Sequence, residues 1–127
     1  MAETAGQTQP VPGPPSRPTI STHVLDTEHG SPAVGVQVTL YRLSDDGRPL
    51  RLTQALTDAD GRVRDLLERP LVVGDYRLEI NLAVDDDEQT ERFFRRMSLD
   101  LRVADAARSY HVPLLLAPFS FTTYRGS

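Results

Sequence analysis

The chain has no cysteine and no lysine. Without cysteine it forms no disulfide, offers no thiolate nucleophile and supplies no sulfur ligand to a metal. Without lysine it has neither Schiff-base chemistry nor an amine nucleophile, and all 14 basic residues are arginine. Long apolar runs are missing too, so no segment reads as a membrane span. A net charge of −4 gives no basic face of the kind nucleic-acid binding needs. No basic segment followed by an apolar one opens the chain, so no secretory signal is read and the expected compartment is the cytoplasm.

What is present fits one domain, since 127 residues suffice for a real core. Pro10, Pro12, Pro14, Pro15 and Pro18 crowd the start of the chain. Residues 1–18 are therefore expected to form a disordered proline-rich arm, and 19–127 the folded domain.

From Thr19 onward the hydrophobic period is two. Val34, Val36, Val38 and Leu40 alternate with polar or small residues, as do Tyr76, Leu78, Ile80 and Leu82, and Met97, Leu99, Leu101 and Val103. Turn sequences separate these runs: Asp45-Asp46-Gly47, Asp58-Ala59-Asp60-Gly61 and Val73-Gly74-Asp75. Short alternating strands between regular turns predict an all-β, antiparallel β-sandwich. One stretch breaks the period. Asp85 to Glu88, followed by Gln89 to Phe94, reads as a short helix with acids in its first turn.

Three histidines carry most of the available chemistry. If Ile20, Thr22 and Val24 face the core, His23 faces away from it. If Tyr110, Val112 and Leu114 face the core, His111 does likewise. His29 sits in a turn with Gly30 and Pro32 and reads as an ordinary turn residue. Arg62 opens a strand after the Asp60-Gly61 turn. Asp26 and Asp60 read as caps of turn amides. Two histidines without a suitably spaced third ligand predict no metal site. The end of the chain is the remaining oddity: an apolar run from Leu114 to Phe119 stops shortly before Tyr124-Arg125-Gly126-Ser127.

Taken together, several segments resemble the transthyretin-related family, whose enzymes are 5-hydroxyisourate hydrolases of urate degradation. They are Ser21-Thr22-His23-Val24-Leu25-Asp26-Thr27, Gly30-Ser31-Pro32-Ala33, Thr57-Asp58-Ala59-Asp60-Gly61-Arg62, Tyr110-His111-Val112-Pro113-Leu114-Leu115-Leu116 and the terminal Tyr124-Arg125-Gly126-Ser127. The resemblance implies a transthyretin-like sandwich of about eight strands with one short helix. It implies hydrolysis of the lactam ring of 5-hydroxyisourate to 2-oxo-4-hydroxy-4-carboxy-5-ureidoimidazoline, with no cofactor and no metal. His23, Arg62 and His111 match catalytic positions, and Tyr124, Arg125, Gly126 and Ser127 are expected to line the substrate site. A homotetramer is implied, a dimer of dimers with active sites at the dimer–dimer interface. The chain departs from the family pattern at Ser109, Ala117, Phe119, Phe121 and around 81–92. That keeps two alternatives open: a relative acting on another cyclic amide, or a non-catalytic module that binds small ligands.

Overall fold

The computed structural model describes residues 17–83 and 92–126. The expected arm lies outside them except for its last two residues, and Ser127 lies outside them altogether. The expected helix falls mostly in 84–91, which is also outside, and Arg92 to Phe94 are not helical. No helix among the described residues is long and apolar enough to cross a membrane.

Among the described residues nine strands form two sheets. They are β1 (Ile20–Asp26), β2 (Ser31–Pro32), β3 (Gln37–Leu43), β4 (Pro49–Leu56), β5 (Arg62–Val63), β6 (Gly74–Asn81), β7 (Arg96–Val103), β8 (Tyr110–Ala117) and β9 (Ser120–Thr123). One sheet runs β9-β8-β1-β2, with β5 also paired to β1, and the other runs β4-β3-β6-β7. The sandwich expected from the alternation is therefore present. All strand pairs are antiparallel except β1 with β8, which run parallel with Ser21 opposite His111 and His23 opposite Pro113.

The core lies between the sheets and is built by the alternating positions. Ile20, Val24, Val38, Leu40, Leu78, Ile80 and Leu114 are fully buried. Burying one such side chain stabilises the fold by about 1.5–3 kcal/mol. Leu66, Leu67 and Leu71, from the segment after β5, join the same core. The run beginning at Val34 departs from the expected strand, which starts only at Gln37. Gly35 takes a left-handed φ of 75°. The Gly35 amide then donates to the Thr57 carbonyl, and the Val36 amide to Thr57 Oγ1. The turn bonds thus replace the first steps of the ladder.

This arrangement positions the outer face of the first sheet. Inward residues of β1 and β8 fix the register, and a slip of one residue would bury the polar set instead. Ser21, His23 and His111 are consequently turned outward, half-buried among their neighbours.

Candidate active site

His23 and Arg62 are cross-strand partners in the β1–β5 pair. The turn before β5 puts them there. Asp58 Oδ1 accepts hydrogen bonds from the amides of Asp60 and Arg62, each at 2.9 Å, and the Gly61 amide donates to the Asp58 carbonyl at 2.9 Å. The backbone bond from Arg62 holds the Asp58 carboxyl below its ordinary range, with the Asp60 amide acting in the same sense against desolvation. Asp58, rather than Asp60, is thus the capping carboxylate of this turn. Asp60 contributes its main-chain carbonyl, which accepts from His23 Nε2 at 2.9 Å. A carbonyl only accepts, so Nε2 of His23 carries the proton and a neutral His23 keeps its lone pair on Nδ1.

His111 lies two residues along and one strand over from His23, roughly 8 Å away at ordinary sheet spacing. Its Nδ1 is hydrogen-bonded to Ser21 Oγ at 2.9 Å. Burial pushes its pKa down from the ordinary 6.5, and the neighbouring Arg62 and then His23 push the same way. His111 is therefore neutral near pH 7. The Arg62 guanidinium has no carboxylate partner within ion-pair distance among the described residues, so its charge remains available to a ligand.

The end of the chain reaches this face. Beyond β9 it runs on beside β8, and Gly126 bridges His111 in the same register as the β8–β9 pairs. The Gly126 amide donates to the His111 carbonyl at 2.7 Å. A Cβ on Gly126 would lie 2.9 Å from His111 Cδ2, so only glycine leaves the ring where it is.

An open hollow of about 510 Å³ is lined by His23, Leu25, Pro32, Asp60, Arg62 and Arg64. Tyr124 and Arg125 instead line a separate apolar cleft of about 480 Å³, together with Leu99, Leu101, Tyr110 and Val112. That cleft is lined by no histidine, whereas the hollow is lined by both His23 and Arg62. The structure thus brings together His23, Arg62, His111 and Gly126, sets Tyr124 and Arg125 around the neighbouring cleft, and leaves Ser127 undescribed. Asp26 behaves as expected for a turn cap, its carboxylate accepting from the amides of Glu28 and His29. It also bonds the His29 ring at 2.8 Å, which raises the His29 pKa. Asp26, Glu28 and His29 have donor atoms close enough to share a metal ion. The Arg92 guanidinium stands 3.9 Å from Asp26 and opposes a cation there.

A β-sandwich that carries two histidines, Gly126 and an arginine with no carboxylate partner among the described residues on one sheet face defines a transthyretin-type fold with an ionisable outer surface. A sequence model described as the HIUase/Transthyretin family matches residues 20–126. The 5-hydroxyisourate hydrolase of Halalkalibacterium halodurans is 38% identical over 119 residues, covering 85% of this chain and 97% of the relative. The solved structure of Klebsiella pneumoniae 5-hydroxyisourate hydrolase superposes with a TM-score of 0.74 at 35% identity, covering 87% of this chain and 99% of that one. Sea bream transthyretin in complex with thyroxine superposes with a TM-score of 0.76 at 27% identity, covering 84% and 93%. The chain belongs to the HIUase/Transthyretin family.

Proposed function

We propose that the chain is a 5-hydroxyisourate hydrolase acting through the face that carries His23, Arg62 and His111. The observation that carries this reading is the pairing of an available arginine with two outward histidines, in a chain 38% identical to a named hydrolase. The backbone alone does not separate hydrolase from transthyretin, because both superpose equally well. Binding a ligand does not call for a neutral histidine held beside a free cation, whereas adding water to an amide does.

In the proposed reaction His111 takes a proton from water through Nε2, the nitrogen not bonded to Ser21. The water oxygen bonds to the lactam carbonyl carbon, and Arg62 offsets the charge that develops on the carbonyl oxygen. The C–N bond then breaks, the carbon becoming a carboxylate and the ring nitrogen taking a proton. That proton is the one His111 took from water; His23, whose Nδ1 carries none of its own, is set to relay it, and the new carboxylic acid ionises to solvent. Each such acid or base contributes roughly 10²–10⁴ in rate. Of the terminal residues, Gly126 holds the His111 ring, Tyr124 and Arg125 flank the neighbouring cleft, and Ser127 is read as a substrate contact.

The hollow is shallow on a single chain, and β7 and β9 each leave one ladder edge unpaired among the described residues. Unpaired edges favour strand addition. These features support a homotetramer, a dimer of dimers whose dimer–dimer interface closes the site. The proline-rich arm is read as taking no part in the reaction, and removing residues 1–17 is expected to leave turnover unchanged. A cytoplasmic location belongs to the same reading and is checked by cell fractionation.

The test generates 5-hydroxyisourate in situ with urate oxidase and follows its ultraviolet decay with and without the protein. Accelerated decay supports the hydrolase. Decay at the spontaneous rate from folded protein overturns it, in favour of another cyclic amide or a ligand-binding module.

A further inference from the structure

Ser21 reads in the sequence as one more outward strand residue. In the fold it is the cross-strand neighbour of His111, 90 positions away, and its hydroxyl meets Nδ1 of that ring at 2.9 Å. On the opposite side the ring edge at Cδ2 lies against Gly126. The imidazole is therefore held between β1 and the C-terminal segment, and Nε2 has no hydrogen-bond partner among the described residues.

We propose that Ser21 is a positioning residue that fixes the His111 tautomer, its Oγ accepting a hydrogen bond from Nδ1–H so that the lone pair sits on Nε2. The inference rests on the reading of His111 as the base that activates water. An unrestrained neutral imidazole carries its proton on either nitrogen. A base with the proton on the nitrogen facing water cannot accept another there. A serine hydroxyl can donate or accept, and in the accepting role assigned here it holds the proton on Nδ1 and continues to accept from Nδ1–H once Nε2 has been protonated, so the bond spans the whole step. Ser21 touches neither water nor substrate in this account; it acts through the ring.

Two readouts test it on the full chain. One is the nitrogen chemical shifts of His111 by NMR at neutral pH, which report the tautomer without reference to activity. The other is kcat and KM for 5-hydroxyisourate. Wild type is expected to show Nδ1–H. Ser21→Ala is expected to lose that single tautomer and to lower kcat roughly three- to tenfold, the size of one hydrogen bond, with KM little changed. Ser21→Thr, which keeps the hydroxyl, restores both. An Nε2–H tautomer in wild type, or an Nδ1–H tautomer that persists in Ser21→Ala with unchanged kcat, overturns the proposal. His111→Asn separates this failure from failure of the underlying reading. If that variant is inactive, the base stands whatever Ser21 does. If it turns over normally, the base reading falls, while the tautomer readout still decides what Ser21 does to the ring.

Discussion

Gly126 and His111 face each other across the last bridge of the first sheet. The glycine amide donates to the histidine carbonyl at 2.7 Å, and its missing side chain leaves room for the ring. The segment after β9 is thereby part of the wall that orients the His111 side chain. Gly126→Ala puts a methyl 2.9 Å from Cδ2, and the ring is the movable partner. Misplacing a reacting group by about 1 Å can lower turnover by up to ~10²-fold. We expect kcat to fall toward that limit while the denaturation midpoint barely moves, because Gly126 lies outside the core. Unchanged kcat would separate the terminal segment from the chemistry.

The pH dependence follows from His111. Burial, then Arg62, then His23 lower its pKa from 6.5, so the catalytically competent neutral form persists into mildly acid solution. The acid limb of kcat/KM is therefore expected below pH 6.5. Stability carries the same sign. The unfolded chain binds the proton more readily than the folded one, so the contribution is present above pH 6.5 and is lost as pH falls through the folded value. Arg62→Gln removes one positive neighbour and should move the His111 titration up toward 6.5 when followed by NMR. A titration that stays put would mean that burial alone sets it.

His23→Asn and His111→Asn test the two rings directly. Both side chains are outward and half-buried, so neither substitution opens a cavity in the core. Each variant is expected to fold as wild type by circular dichroism and to lose roughly 10²–10⁴ in turnover. Near-normal rates in both would remove the catalytic assignment from this face.

Much of this architecture was legible from the chain. The alternation of Ile20, Thr22 and Val24, and of Tyr110, Val112 and Leu114, already turns His23 and His111 outward, because period two leaves no other face for them. Pairing was not legible. Alternation is blind to which strands neighbour each other and in which direction, so the parallel β1–β8 contact that joins Ser21 to His111 had no local signal. The strand Pro49–Leu56 also went unread. It lies at a sheet edge with Leu50 and Leu56 exposed, and its core contacts, Leu52 and Ala55, stand three positions apart across a register shift, so no strict alternation marks it. In the turn before Arg62, both Asp58 and Asp60 suit a cap, and only the backbone geometry shows that Asp58 takes that role while Asp60 offers its carbonyl to His23.

That turn makes the most demanding prediction about how fold and site are joined. Gly61 has a φ of 77°, where other residues are strained. A Cβ there would also stand 2.4 Å from the Val24 carbonyl oxygen, the group that accepts the Ala33 amide. Backbone atoms of β1 cannot yield as a ring can. Gly61→Ala must therefore either twist the turn or push it off β1, and both displace the Asp60 carbonyl from His23 and Arg62 from its place opposite. Strain of this kind is worth about 1–3 kcal/mol, so the urea midpoint should fall clearly, unlike that of Gly126→Ala. Turnover should fall as well, even in the fraction that remains folded. A variant that loses stability but keeps full specific activity would show that the turn supports the sandwich without setting the site.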